Sequence, residues 1–422
     1  MLEKDTFLAH LYSERSKKTT VSHKTGEKLD LLIKELSNPL INLNKLRSLC
    51  FTGIPDEING VRSIIWKLLL GYIPYNRSDW ASVLESNRKI YWEFVEEFIS
   101  SKKEKLDPSV IDYILNRDSP VKQSKKEFDG EEEKQIKKEK LASCVGVASL
   151  GIVKDHPLSK DPSSEWNSVF KDMFLWDEIE KDTKRTRTEL DLFSKPTSKP
   201  LRKSFSRALT RSDPELHSDV LSRILFVYGK LNPGVRYVQG MNELLAPIYY
   251  CFVKDENPAF RDHAEADTFY CFSILMGDAK ENFVKSLDTT DAGIQSRITD
   301  LNNLLKKVDK ILWNHLNEEK VNPQFYTLRW IMLMLTQEFE LLDVMRLWDS
   351  FFSHPNKLDF LNYCCLAMII NVRGAIINEE FPVIMENLQK NAASDVELIL
   401  KRAIALYKQY SNPQEMSYIV FQ

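Results

Sequence analysis

Glycine is scarce in this chain, 13 residues in 422, well below the usual share of about 7%. A sheet-rich protein with many tight turns is disfavoured on that ground, and no run of alternating apolar and polar residues reads as a set of strands. No Gly-x-x-x-x-Gly-Lys-Ser/Thr phosphate loop occurs in the sequence, so the chain is not expected to be an NTPase. The six cysteines, at positions 50, 144, 251, 271, 364 and 365, include no Cys-x-x-Cys pair. That argues against a disulfide framework or a zinc site and favours a reducing compartment. A net charge of -3 leaves no basic excess for general nucleic-acid binding. The apolar stretch from Phe360 to Val372 contains Asn362 and Asn371 and falls short of the roughly 20 residues that span a bilayer. It reads as a buried helix. Met1-Leu2-Glu3-Lys4-Asp5 has no apolar h-region and Tyr418 to Gln422 is not a lipidation box, so neither end is expected to target or anchor the chain.

What the sequence has in abundance is helical periodicity. Val61, Ile64, Ile65, Leu68 and Leu69 follow i, i+3, i+4, i+7, i+8, with Gly71 where a C-terminal cap belongs. Ile298, Leu301, Leu304, Leu305, Val308, Ile311, Leu312 and Leu316 sustain the pattern for longer. The expected fold is all-α and, because single cores stop growing near roughly 250 to 300 residues, two-lobed. Residues 1–52 read as an N-terminal extension and 53–410 as the domain, with 411–422 as a tail. Within the domain, about 117–155 holds a mixed-sign run of low hydrophobicity and is expected to be a mobile insertion. About 194–213 forms a basic loop carrying Lys195, Lys199, Arg202, Lys203, Arg207 and Arg211. A solvated loop is the plainer reading of it; a surface for an acidic partner, a lipid headgroup or a kinase is the sharper one.

Two polar segments carry candidate chemistry. In Ile179-Glu180-Lys181-Asp182-Thr183-Lys184-Arg185-Thr186, Asp182 lies three residues before Arg185 and shares a helical face with it. In Tyr237-Val238-Gln239-Gly240-Met241-Asn242, Gln239 falls at a loop-to-helix junction between apolar anchors, and Gly240 permits a close backbone approach. A guanidinium is a permanent charge whose planar fork suits phosphoryl oxygens, and a carboxamide can both donate to and accept from water. Taken alone, Arg185 would be read as part of a salt-bridged helix surface and Gln239 as a solvated turn residue. His263, Glu265 and Asp267 have side chains of ligand type, but only His263 and Asp267 share a face, so helix surface rather than a metal site is expected there.

The pair of segments resembles the motifs Ile-x-x-Asp-x-x-Arg-Thr and Tyr-x-Gln-Gly-Met-Asn of the TBC-domain family of Rab GTPase-activating proteins. Arg62-x-x-x-Trp66-x-x-Leu69-Leu70-Gly71 resembles its first motif. Arg329-Trp330, Glu338-Phe339 and Leu347-Trp348-Asp349 resemble its last. Trp66, Trp330 and Trp348 are expected to anchor the core, and Arg62 and Arg329 to hold buried carboxylates. Asp155-His156-Pro157-Leu158, Trp166-Asn167 and His263 to Asp267 look closest to the member-thirteen subgroup. Thr188 stands where many members have proline and Arg236 where they have glycine; neither change removes a catalytic group.

The resemblance implies a helical domain that stimulates GTP hydrolysis by a GTP-bound Rab in vesicle trafficking. Arg185 and Gln239 would be its catalytic fingers, supported by Asp182, Thr186, Tyr237, Gly240 and Asn242. The chain would need no metal or cofactor of its own, since the GTPase brings GTP and Mg²⁺. The expected location is cytoplasmic, with peripheral contact on endomembranes and no transmembrane segment or nucleic-acid partner. The alternative is a Rab-binding effector or scaffold without hydrolysis, for which neither finger would be needed.

Overall fold

The computed structural model describes residues 6–17, 22–58, 60–100, 165–198, 214–283 and 293–411. The expected insertion at about 117–155, most of the basic loop from residue 199 onward and the tail from 412 lie outside the described residues. Among the described residues the chain is helical, with two isolated β-bridges and no sheet. The all-α fold is therefore observed.

Helix α1 (Thr6–Lys17), α2 (His23–Leu36) and α3 (Leu43–Phe51) open the chain. The segment expected as an extension docks on the domain. Leu29, Leu32, Ile33, Leu36, Leu46 and Phe51 join the same buried core as the rest. Helix α4 (Val61–Leu70) buries every residue, which is why its apolar pattern is nearly continuous, and Gly71 ends it at φ 82° with its N–H on Leu68 O.

Helices α5 (Trp80–Val95), α6 (Glu165–Thr183), α7 (His217–Leu231), α8 (Met241–Val253) and α9 (Ala264–Ala279) pack together as the first lobe. Helices α10 (Ile294–Val308), α11 (Lys310–Glu318), α12 (Gln324–Met332), α14 (Lys357–Asn371) and α15 (Val396–Tyr410) form the second. Between them runs α13 (Leu341–Ser353), which packs on α3, α4, α8, α14 and α15. Helix α14 is the buried helix expected from Phe360 to Val372. The long pattern from Ile298 to Leu316 is two helices: Asp309 leaves the helical path and caps α11 by accepting from Leu312 N at 2.9 Å. Ile311, expected on the apolar face, is instead 69% exposed.

Buried ion pairs cross-link these elements. Asp349 on α13 is fully buried and accepts from Arg62 Nε and Nη2 at 3.0 Å each, Trp66 Nε1 at 2.8 Å and Ile54 N at 2.7 Å. Its charge is satisfied by four donors, as a buried carboxylate requires. Trp66, Trp330 and Trp348 are core anchors, as expected. Arg329 holds Glu338, whose side chain is nearly buried. The helix-surface expectation for Glu265 and Asp267 is corrected, because both are buried. Glu265 takes Arg223 Nε at 2.6 Å and the Tyr91 hydroxyl at 2.5 Å. Asp267 takes Arg88, Lys67 and the Tyr72 hydroxyl. Period alone could not reveal this, since a carboxylate on an inward face is legible only once its arginine is found on another helix.

Candidate functional site

Helix α6 ends at Thr183, and the chain leaves it in a tight turn, with Arg185 N on Asp182 O at 3.0 Å and Thr186 N on Thr183 O at 3.2 Å. The turn divides its side chains by environment. Asp182, Thr186 and Arg187 are buried, whereas the Arg185 side chain is 71% exposed. Arg185 donates through Nη2 to Asp182 Oδ1 at 2.7 Å and through Nε to Lys181 O at 3.1 Å. Nη1 is left without a partner among the described residues. The neighbouring lysines do form the helix-surface pairs that charge pattern suggests, Lys181 with Asp177 and Lys184 with Glu180. Arg185 differs because its carboxylate is buried and held from the other side.

That other side is the second motif. The Tyr237 hydroxyl donates to Asp182 Oδ2 at 2.7 Å. Burial, reinforced by this bond, pushes the phenol far above its ordinary pKa, so it stays a donor. Asn242 completes a closed network: its Nδ2 donates to Thr186 Oγ1 at 2.9 Å, and its Oδ1 accepts from Gly240 N at 3.1 Å. Thr186 Oγ1 in turn donates to Asp182 O at 3.0 Å. All five supporting residues named from the sequence thus meet in one network that joins the two motifs.

Gln239 is exposed on the turn that leads into α8, and its carboxamide makes no hydrogen bond among the described residues. Gly240 beneath it has φ 103°, and a Cβ there would stand 2.6 Å from Leu333 Cδ2. The torsion favours glycine, and any Cβ would have to push the Leu333 methyl aside.

A third segment, which sequence reasoning missed, backs both motifs. Leu333 packs on Gly240, while the carbonyls of Thr336 and Phe339 accept from the Arg187 guanidinium, at 3.1 Å for Phe339. Arg187 also faces Glu243, whose carboxyl burial pushes up and Arg187 pulls back down. Of the five non-glycine residues with positive φ among the described residues, four are Arg187, Arg236, Met334 and Leu335, on the three segments that meet here. Such torsions cost of order 1–2 kcal/mol each and gather where the surroundings over-determine a site. Glu338-Phe339 carries part of the family's last motif, but nothing local shows that residues 333–339 back the other two motifs, because that role depends on packing against elements distant in sequence. Elsewhere, His10, Glu14 and Glu256 bring ligand-type atoms within 4.8 Å of one another, but they are partly exposed and belong to neither motif. Among the described residues no helix is long and apolar enough to cross a membrane.

Comparison with known proteins gives the family and the fold. The Rab-GTPase-TBC domain model matches residues 154–377. The human protein TBC1 domain family member 13 is 37% identical, over 87% of this chain and 94% of its own length. The GTPase-activating protein gyp1 of Schizosaccharomyces pombe is 24% identical, over 89% of this chain and 60% of its own length. The crystal structure of the Ypt/Rab-GAP domain of Gyp1p superimposes with a TM-score of 0.63 at 21% identity, over 92% of this chain and 99% of that one. It supports the fold. From the family match and the extent of these relatives, the chain belongs to the Rab-GTPase-TBC domain family.

Proposed function

We propose that this chain is a GTPase-activating protein for a Rab-family GTPase, supplying Arg185 and Gln239 to the partner's nucleotide site. The observation that carries this reading is the hydrogen-bonded network from Asp182 through Tyr237 and Asn242 to Thr186, which holds an exposed guanidinium and an exposed carboxamide on one rigid support. Family membership and the relative named as a GTPase-activating protein support it.

Phosphoryl transfer is catalysed mainly by positioning and charge stabilisation, so two inserted side chains suffice to accelerate it. Arg185 would neutralise charge developing on the γ-phosphoryl and bridging oxygens, with Asp182 holding the guanidinium from behind. Gln239 would orient the attacking water. The GTPase supplies GTP and Mg²⁺, and in the related Ras system such activation reaches about 10⁵-fold, near 7 kcal/mol. The cellular role that follows is control of vesicle trafficking from the cytoplasm, with peripheral contact on endomembranes.

The experiment is single-turnover hydrolysis across a panel of GTP-loaded Rabs with the full chain. Acceleration of at least one member by several orders of magnitude is expected. Tight binding without acceleration would make the chain an effector or scaffold instead.

A further inference from the structure

Arg236 sits in the loop between α7 and α8, three residues before Gln239, with φ 59°. L-residues adopt that region at a cost, and glycine adopts it freely. The torsion is imposed by the loop's path. Arg236 N donates to Asn232 O at 2.7 Å, and the backbone runs so close to α7 that a Cβ on Gly229 would lie 3.6 Å from the Arg236 carbonyl carbon. The side chain, by contrast, is exposed and makes no hydrogen bond or ion pair among the described residues. It lines a cleft with Lys171, Asp172, Lys230 and Pro233. Asp172 is already engaged by Lys230 at 2.6 Å, so the cleft holds three cations against one committed carboxylate.

Glycine would meet the loop's conformational demand without strain. What arginine adds is a guanidinium fork, and the described residues offer it no partner. From these observations we infer that Arg236 is a specificity-determining contact that pairs with an acidic side chain of the bound GTPase. This rests on the reading that Gln239 enters the GTPase's nucleotide site. Three residues of extended chain span at most about 10 Å, which puts Arg236 at the rim of whatever covers Gln239. A cation at an interface rim acts on encounter and on salt dependence, and an arginine fork matches a carboxylate.

The test uses the full chain and a soluble GTP-loaded Rab without vesicles, comparing Arg236→Gly, Arg236→Lys and Arg236→Glu. Arg236→Gly should raise the melting temperature, because the torsion is relieved, yet lower kcat/KM about tenfold at low salt, through KM rather than kcat. Arg236→Glu should lose more and Arg236→Lys less, and the differences should shrink at high salt. An Arg236→Gly protein that melts higher and keeps or improves kcat/KM overturns the inference. So does a defect that emerges only when phosphatidylserine vesicles are added, which would assign the guanidinium to a lipid headgroup. Should the wild-type chain accelerate no Rab, the functional reading fails on its own. Equilibrium binding of GTP-loaded Rab then decides the contact: weaker binding by Arg236→Glu sustains it, whereas equal binding, or none by any protein, overturns it.

Discussion

Asp182 serves both motifs at once, because its two carboxylate oxygens are engaged by residues from different segments, Arg185 on one side and Tyr237 on the other. Tyr237→Phe keeps the ring and removes the hydroxyl that donates to Asp182 Oδ2 and reaches Asn242 Oδ1 at 3.2 Å. It should cost about 1–2 kcal/mol of stability, since a nearly buried carboxylate oxygen loses a partner. It should also reduce activation, because the carboxylate that orients Arg185 is freed to move. Melting curves and single-turnover assays check the two effects separately, and unchanged activation would count against the orienting role. At this scale the sequence was partly legible. The Asp182–Arg185 pairing follows from i, i+3 spacing, and the choice of Arg185 over Arg187 followed from the family motif. In the structure Arg187 is committed to buried carbonyls while Arg185 is exposed. The Asn242–Thr186 bond could not be read, since no spacing rule links side chains so far apart in the chain.

At the scale of helices, periodicity served well where a helix has one apolar face or is wholly buried, as α4 and α14 do. It failed where a polar residue interrupts an unbroken apolar rhythm. Asp309 is the clear case: its side chain caps α11 and pairs with Arg373, so the chain turns and Ile311 faces solvent. Desolvation would raise the Asp309 carboxyl, but Arg373 and the cap donors outweigh it and hold the group below its ordinary pKa. Asp309→Ala should destabilise by about 1–2 kcal/mol, the worth of a cap with a partly exposed ion pair. Asp309→Asn, which keeps the cap acceptor, should recover most of that. Urea unfolding of the three proteins decides it, and an Asp309→Ala midpoint equal to wild type would contradict the capping account.

For the whole molecule, all-α architecture was legible from composition and period and two lobes were expected from length, whereas the buried ionic ties between elements were not legible. Those ties and the buried histidines give stability a pH signature. His354 is packed between Phe360 and Tyr407, and burial pushes its imidazole down from 6.5 to about 4. The unfolded chain therefore takes up this proton near pH 6.5 and the folded one only near pH 4. Stability should be whole above the first value and fall by about 3 kcal/mol through that window as pH drops. Burial lowers His217 in the same direction. Asp267 acts later: burial would raise it, but Lys67 and Arg88 hold it to about 2 against an ordinary 3.8. Its contribution is lost only between those values. Urea unfolding at stepped pH should show the first decline, and His354→Gln should flatten it; an unchanged slope would refute the assignment. The central claim is that Arg185 and Gln239 act in one transition state, and the most direct test is single-turnover hydrolysis by a cognate Rab with Arg185→Ala, Gln239→Ala and the double variant. Gln239 makes no hydrogen bond among the described residues, so Gln239→Ala should melt as wild type, whereas Arg185→Ala removes a donor from nearly buried Asp182 and should cost about 1 kcal/mol while staying folded. Each single variant should lose most of the activation, Arg185→Lys should fail as well, and the double variant should cost far less than the product of the two single losses. Near-normal activation by a stably folded Arg185→Ala protein would contradict the account.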